Sequence, residues 1–316
     1  MASPPRKVRL TWDQLPERIR DAIESRLGSP VTSATSQPGG FSPGMASRVE
    51  MADGRRAFVK AVSPELNPDS PDIFREEARV AAALPPNAPA PRFLWTYDEG
   101  AGVGGWVVLA FEDVDGLPPA DPWRSQELDR VVEALIELSK ALTPSPIQVR
   151  PASDFFVETI NGWQLLQADP GAKLDDWSRR HLEVLAALEA RAPELSAGDT
   201  LIHFDIRSDN LLLTPDRVVV VDWPYACIGA PWIDVMGMAP SVTLEGGPEP
   251  EDLFMRHPAA RAADPKAVNA VLASIAGFFT QRSLQPPPPG IPTVRAFQAA
   301  QGGVARRWLA QRTGLR

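Results

Sequence analysis

The segment His203–Asn210 constrains this chain of 316 residues most, because it fixes several polar side chains at set intervals. It reads His-Phe-Asp-Ile-Arg-Ser-Asp-Asn, so four residues separate Asp205 from Asn210. Asp222 follows twelve residues after Asn210, at the end of a run of valines. One Asp in a turn is usually a cap or an Asx-turn former. Two carboxylates and an amide at this spacing are instead typical of a phosphoryl-transfer site.

The residues between Asn210 and Asp222 predict a β-hairpin. Leu211–Leu213 and Val218–Val221 have the composition of short strands, and 214–217 has that of a turn. Because neighbouring antiparallel strands meet at their ends, we expect Asn210 and Asp222 at the same end of this hairpin.

Phosphoryl transfer depends on positioning and on neutralising charge on the phosphates. In that chemistry Asp205 would accept the proton of an acceptor hydroxyl, or orient the hydroxyl. Asn210 and Asp222 offer hard oxygen ligands, which suit Mg²⁺. His203 is better placed to brace the loop by hydrogen bonds than to titrate in catalysis.

These motifs resemble those of the aminoglycoside phosphotransferase and choline-kinase-like family, which shares its fold with protein kinases. The family pattern, His-Gly-Asp followed by Asn and a strand ending in Ile-Asp-Trp, is matched by residues 203–205, Asn210 and 221–223. A later Gly-x-Pro-x-x-Asp element is matched by 229–234. The resemblance implies that Asp234 supports the catalytic loop.

The chain departs from the family pattern at two positions near Asp205. Phe204 stands where the family has Gly, and Arg207 stands where many members have His. Neither change removes a required oxygen, so both bear on the acceptor and leave the chemistry intact.

The resemblance extends upstream to a lysine and a glutamate. Lys60 lies in 56–61, which alternates like a half-buried strand, and it resembles the family lysine that binds the α- and β-phosphates. Glu77 best matches the family glutamate that pairs with this lysine, with Glu76 as the second choice.

The same resemblance implies further nucleotide contacts. Ser42 lies in the glycine-rich segment 39–44, which fits neither the Walker pattern nor that of protein kinases. Glu112 and Val114 would bind adenine through backbone groups of a hinge, although a plain acidic loop explains this stretch equally well. Leu212 would also contact the nucleotide.

The predicted fold is α+β and two-lobed, protein-kinase-like, with an N-terminal lobe at 1–112, a hinge at 113–117 and a C-terminal lobe at 118–316. We expect a helix from Trp12 to Leu27 and an antiparallel five-stranded sheet with a helix that contains Glu77. Its predicted strands cover 31–36, 46–51, 56–61, 93–97 and 105–111, with a hairpin turn at Asp53-Gly54. The C-terminal lobe is expected to be mainly helical, because apolar residues recur there at helical spacing.

Composition limits the partners and the compartment. The net charge of −8 argues against nucleic acid and is compatible with a cationic acceptor. Cys227 is the one cysteine, which excludes an internal disulfide and fits a reducing cytoplasm. We expect no signal peptide and no membrane span.

Together these features predict an ATP- and Mg²⁺-dependent kinase that phosphorylates a hydroxyl of a small polar molecule, an aminoglycoside-type or other antibiotic. A kinase of choline, homoserine or a sugar remains an alternative within that class. A nucleotide-binding regulator without transfer activity is the rival from another class. A kinase acting on protein is disfavoured, because Asp222-Trp223-Pro224 replaces Asp-Phe-Gly.

Overall fold

The computed structural model describes residues 9–37, 44–100, 104–287 and 293–316. The strands in these ranges are β1 (Val31–Ser36), β2 (Met45–Met51), β3 (Arg56–Val62), β4 (Phe93–Asp98), β5 (Val107–Glu112), β6 (Thr200–Ile202), β7 (Leu211–Leu213), β8 (Val218–Val220) and β9 (Cys227–Gly229). The helices are α1 (Glu17–Leu27), α2 (Ser70–Ala81), α3 (Ser125–Ala141), α4 (Ala152–Glu158), α5 (Gly162–Ala168), α6 (Asp176–Glu189), α7 (Ala192–Leu195), α8 (Ile233–Leu244), α9 (Pro250–Phe254), α10 (Pro258–Arg261), α11 (Pro265–Ser283) and α12 (Val294–Thr313). Short 3₁₀ turns lie at Trp12–Gln14 and Ser208–Asn210.

The chain forms two compact units. The first comprises the residues up to Pro118 together with Leu211–Tyr225, and the second comprises Pro119–Asn210 and Ala226–Arg316. The second unit is mainly helical, and the first contains a five-stranded sheet. The α+β class predicted from the sequence is therefore confirmed.

The sheet of the first unit has the strand order β1-β2-β3-β5-β4 and is antiparallel throughout. Asp53-Gly54 turns the chain between β2 and β3, and the positive φ of Gly54, 82°, suits a residue without a side chain. Gly44 precedes β2, where a Cβ would collide with the carbonyl oxygen of Ala61. Ala61, the residue after Lys60, therefore lies against Gly44, the last residue of the glycine-rich segment.

Two apolar cores lie on opposite faces of this sheet. On one face α1 contributes Ile19, Ile23 and Leu27, which recur every four residues and are buried. On the other face α2 contributes Phe74 and Ala78. Alternate residues of the strands supply the two cores, so the sheet is covered on both sides.

The first helix is shorter than the sequence predicts. The predicted span from Trp12 to Leu27 is interrupted, since Trp12–Gln14 is a 3₁₀ turn and α1 begins only after Pro16. Proline has no N–H to donate and therefore favours a helix start at this position. The helix ends as predicted at Gly28, whose φ of 75° is left-handed.

The second unit is organised around α11, which packs against α5, α6, α7, α8 and α12. Most of its residues are buried, so it forms the centre of a helical core. Among the described residues, no helix is both long and apolar enough to cross a lipid bilayer.

Candidate active site

Lys60 and Glu77 form a buried ion pair in the first unit. Lys60 lies on β3, and its Nζ is 2.6 Å from Glu77 Oε2 and 2.9 Å from Oε1. Glu77 lies on the inward face of α2, and its side chain is only 2% exposed. The neighbouring Glu76 faces outward and pairs with Arg79 on the same helix. Helical periodicity therefore decides which of the two glutamates meets the lysine.

Asp222 is the second carboxylate on Lys60. Its Oδ1 lies 2.6 Å from Lys60 Nζ. Its φ of 71° is in the left-handed region, which Asp tolerates better than most residues. The next residue, Trp223, is fully buried and donates from Nε1 to the carbonyl of Val220 at 2.9 Å. The turn after β8 is thus anchored, and it presents Asp222 to the lysine.

The electrostatics of this group follow from burial and from the two carboxylates. Burial alone would lower the pKa of the Lys60 ammonium, but Asp222 and Glu77 outweigh it and raise that pKa. Burial raises the pKa of Glu77, and Lys60 opposes this effect. We conclude that Lys60 stays charged. Arg9 is a further cation here: burial lowers its pKa, and the charge of Asp222 opposes that change.

In the second unit, Asp234 holds the start of the loop that carries Asp205. One carboxylate oxygen accepts the N–H of His203 at 2.9 Å, and the other accepts the N–H of Phe204 at 2.7 Å. Asp234 lies in the first turn of α8 and is buried. Burial raises its pKa to about 6, although both N–H groups oppose this effect. His203 is fully buried, and its Nδ1 accepts the N–H of Asp205 at 3.2 Å.

The backbone of Phe204 explains the family preference for glycine at this position. Its φ is 69°, a left-handed conformation that disfavours bulky side chains. The bond to Asp234 holds the backbone, and the ring packs against Phe155 and Phe156, with centroids 5.1 and 5.8 Å away. An aromatic cluster thus replaces a bare glycine beside Asp205.

Asp205 and Asn210 lie together at the two ends of a tight loop. Nδ2 of Asn210 donates to the carbonyl oxygen of Asp205 at 2.9 Å and to its carboxylate at 3.3 Å. This orientation leaves Oδ1 of Asn210 as the atom that could ligate a cation. Nη1 of Arg207 lies 3.8 Å from Oδ1 of Asp205. Nε and Nη2 of the same arginine donate to the two carboxylate oxygens of Asp209 at 3.0 and 2.7 Å.

Glu245 fixes the middle of the same loop, and the sequence gives no sign of it. Its Oε1 accepts the hydroxyl of Ser208 at 3.0 Å, and its Oε2 accepts Nε1 of Trp123 at 2.8 Å. Because Glu245 directly follows α8, both ends of this helix hold the loop, Asp234 at the start of the loop and Glu245 at its middle. The one signal of Glu245 in the sequence is a charged residue at the end of a helix, and such residues are common in any protein.

The predicted hinge residues are engaged in the first unit. The N–H of Glu112 donates to the carbonyl of Arg92 at 2.9 Å, so this donor is already used. The carboxylate of Glu112 accepts Nη2 of Arg217 at 2.9 Å. Val114 is buried, and Leu212 is half-buried on β7. Adenine binding through Glu112 would therefore depend on its carbonyl group.

Asp113, which the sequence did not single out, is the organising carboxylate of this stretch. Its side chain is 4% exposed and accepts Arg48 Nε at 2.6 Å and Arg48 Nη2 at 2.8 Å. Arg56 Nε lies 3.1 Å from Asp113 Oδ2. The stretch is therefore tied to β2 and β3.

Ser42, the nucleotide contact predicted in the glycine-rich segment, lies outside the described residues.

The predicted residues thus fall into two groups, one in each unit. The first unit brings together Lys60, Glu77 and Asp222. The second brings together the loop residues and their support, which are His203, Asp205, Asn210 and Asp234.

Comparison with known protein structures shows the same fold. The chain is similar to choline kinase LicA from Streptococcus pneumoniae (TM-score 0.61, 15% identity, 93% of this chain and 98% of that one). It is similar to an aminoglycoside phosphotransferase from Alicyclobacillus acidocaldarius (TM-score 0.51, 14% identity, 89% and 91%). It is also similar to amicoumacin kinase hAmiN in complex with AMP-PNP and Ca²⁺ (TM-score 0.53, 11% identity, 95% and 94%).

Comparison with protein families gives the family itself. No curated protein matches the chain. The sequence model of the phosphotransferase enzyme family, however, matches residues 38–270, which include both groups of candidate residues. The resemblance noted in the motifs is thereby confirmed, and the chain belongs to the phosphotransferase enzyme family, with a kinase-like α+β fold.

Proposed function

We propose that this protein is an ATP-dependent kinase that transfers the γ-phosphate to a hydroxyl of a small polar molecule, an aminoglycoside-type or other antibiotic. Asp205 accepts the hydroxyl proton or orients the hydroxyl toward the phosphate. Lys60 binds the phosphates, and Glu77 positions Lys60. Asn210 and Asp222 hold the metal, while His203 and Asp234 keep the loop in shape.

The contact between Asp205 and Asn210 carries this proposal. A carboxylate for the acceptor and an amide whose oxygen could ligate a cation belong to one loop, and Nδ2 of the amide donates to the carboxylate at 3.3 Å. A phosphoryl-transfer site needs both groups close together, because the metal and the acceptor meet at the same phosphate. The two bonds from Asp234 support it further, since they fix the backbone that carries Asp205.

The residues fit a magnesium ion in their donor chemistry. Asn210 and Asp222 offer an amide oxygen and a carboxylate, the hard ligands that Mg²⁺ prefers. Asn210 already uses its amide nitrogen toward Asp205, so its Oδ1 is the atom left for a cation. Mg²⁺, when bound, would neutralise charge on the β- and γ-phosphates.

The acceptor is the open part of the proposal. The named relatives act on choline, on an aminoglycoside and on amicoumacin, so the fold alone does not select one. A kinase of choline, homoserine or a sugar therefore stays as the alternative within the class. In this chain the surroundings of Asp205 are the ring of Phe204 and the pair of Arg207 with Asp209. These side chains are the first positions at which we expect acceptor specificity to change.

The test is phosphorylation of a panel of aminoglycosides, other hydroxylated antibiotics, amino alcohols and sugars, with ATP and Mg²⁺ and products read by mass spectrometry. We expect one acceptor class to gain a phosphate with the native protein. Asp205→Asn should abolish that product while nucleotide affinity, measured by calorimetry, stays within about twofold.

Asp199→Asn is the matched control, because Asp199 is an exposed aspartate of the same unit. It should retain full turnover. Equal turnover in Asp205→Asn and Asp199→Asn would refute the role of Asp205. Nucleotide binding without any product from the whole panel would favour the regulator that only binds nucleotide.

A further inference from the structure

A cavity of about 490 Å³ opens in the first unit, beside the C-terminal end of α1. It is lined by Leu27, the last residue of α1, and by Met51 of β2 and Ala57 of β3. Its volume falls within the range of small-molecule sites, ~300–1,000 Å³. None of the residues assigned above to nucleotide, metal or acceptor lines it.

A β-bulge builds the apolar side of this cavity. The pairing of β4 with β5 shifts register between Phe93 and Trp95, so Leu94 is an extra residue. In a regular strand Leu94 and Trp95 would face opposite sides of the sheet. Here both pack against the core on the α1 face, while Phe93 packs on the other. The bulge therefore directs two large apolar side chains toward the cavity, which is a common use of such irregularities.

The polar side of the cavity is made by arginine alone. Four arginines line it, and no acidic residue does, although the chain carries a net charge of −8. We call this site the arginine cavity; its arginines are Arg26, Arg55, Arg56 and Arg92.

Two of these arginines are neutralised from outside the cavity. Arg55 donates to Asp53 at 2.6 and 2.8 Å, and Arg56 lies 3.1 Å from Asp113. The guanidinium groups of the other two, Arg26 and Arg92, form no ion pair in the part of the chain that the structure describes, and the backbone N–H of Arg92 donates to Glu112 Oε1 at 3.1 Å. Arg26 donates to a carbonyl of its own helix at 3.0 Å and lies over the ring of Tyr97, with 4.4 Å to its centroid. The side chain of Arg92 is exposed.

We propose that the arginine cavity binds a small organic dianion, a phosphate monoester or a dicarboxylate joined to an apolar body. Guanidinium groups bind both anions in a bidentate manner, and two uncompensated arginines match a charge of two. The apolar body would lie against Leu94 and Trp95. The site is separate from the proposed phosphate contact at Lys60, so it stands independently of the catalytic proposal.

Calorimetry with phenyl phosphate and with phthalate tests the proposal, using native protein without nucleotide or magnesium. We expect saturable binding of at least one probe at one site, with a Kd of about 1 mM or tighter. Inorganic phosphate, which lacks the apolar body, should bind more weakly. The double variant Arg26→Gln/Arg92→Gln should weaken binding more than tenfold, because each charge-assisted hydrogen bond contributes substantially.

Two further variants separate this site from general charge effects and from the nucleotide site. Arg179→Gln/Arg307→Gln removes the same charge from exposed positions of the other unit and should leave binding unchanged. Lys60→Met should also leave it unchanged. Circular dichroism confirms the fold of each variant. Absence of saturable binding, equal loss in both arginine double variants, or loss in Lys60→Met would each overturn the proposal.

Discussion

Lys60 Nζ lies 2.6 Å from Asp222 Oδ1, although 162 positions separate the two residues along the chain. The same ammonium group also contacts Glu77, 17 positions away, at 2.6 Å. One buried cation therefore joins strand β3, helix α2 and the turn after β8. Because an unpaired charge is costly to bury, each of these elements depends on the others for its position.

This dependence predicts that substitutions of Lys60 and Glu77 have strongly non-additive effects on the free energy of unfolding. Lys60→Met leaves the buried Glu77 carboxylate without its cation, so we expect a loss of about 3–5 kcal/mol in the free energy of unfolding. Lys60→Met/Glu77→Leu should lose clearly less than the sum of the single variants, because the double variant buries neither charge. Urea denaturation of the four proteins measures the coupling.

The control for this cycle is Arg79→Met/Glu76→Leu on the same helix. Both side chains of that pair are more than a third exposed. Its coupling should therefore stay below about 0.5 kcal/mol. If the Lys60 and Glu77 variants were additive to within about 0.5 kcal/mol, the pair would not hold the elements together.

The bond between Ser208 and Glu245 predicts a positioning role in turnover. Ser208→Ala removes the hydroxyl that Glu245 accepts, and we expect kcat to fall about fivefold, which corresponds to one hydrogen bond of about 1 kcal/mol. The KM for nucleotide should change little, because Lys60 is untouched. Ser208→Thr keeps a hydroxyl and should restore most of kcat. Steady-state kinetics on the acceptor found above measures this, and equal kcat in the Ala and Thr variants would argue against the role.

Glu189 predicts a pH dependence of stability. It is buried and accepts the N–H groups of Trp163 at 3.1 Å and Gln164 at 2.8 Å. Burial raises its pKa to about 7, against an ordinary value of 4.5. A raised carboxyl pKa means that the folded state binds the proton more tightly, so its contribution is full below about pH 4.5 and is lost as the pH rises through about 7.

The measurement compares urea stability at about pH 5 and pH 8 in the native protein and in Glu189→Gln. The native protein should lose more stability over this interval than the variant, by up to about 2–3 kcal/mol. Other titrating groups, Asp234 among them, are common to both proteins and cancel in the difference. Parallel stability profiles would show that Glu189 does not titrate in this range.

Two helical glycines differ in the space around the position that a Cβ would occupy, so we expect opposite effects when each is replaced by alanine. Gly277 lies where α11 packs on α5, and Gly237 lies on α8. A Cβ on Gly277 would lie 2.5 Å from Glu189 Oε1 and 2.6 Å from Trp163 Cδ1. Gly277→Ala should therefore destabilise by about 1–3 kcal/mol, despite the better helix propensity of alanine. Gly237 in α8 has nothing within 4 Å of such a Cβ, and Gly237→Ala should stabilise by up to about 1 kcal/mol. Thermal unfolding distinguishes the two, and a gain at Gly277 would contradict the close packing.

Much of the sheet and of the site could be predicted because the signals are local. Strand β1 has the predicted bounds, and β3 extends one residue beyond them. In β3 the alternation of Ala57, Val59 and Ala61 indicates the face that packs on the core of α1. The choice of Glu77 over Glu76 came from the family motif, and the inward face of α2 accounts for it. Pro16 shows the limit of pattern reading, because the helix predicted from Trp12 onward passed over the break before α1.

The remaining features could not be predicted because their signals are not local. The side chain of Asn161 does not cap helix α5, and Glu189 on α6 accepts the N–H groups of Trp163 and Gln164 instead. Glu245 and Asp113 act in the same way, through partners that are distant in sequence. A carboxylate that accepts hydrogen bonds from a distant loop belongs to no sequence motif, because only the fold places it beside that loop.

The sequence by itself determined which chemical groups are present and how they are spaced within each segment, from His203 to Asn210 above all. Short-range sterics and hydrogen bonding act within such a segment, so its spacing carries meaning without the rest of the chain. The tertiary structure alone decided that Asp222 shares Lys60 with Glu77, and that Leu211–Tyr225 belongs with the first unit. Ion pairs between distant residues form only where packing has removed water from both partners, and that burial is a property of the whole fold.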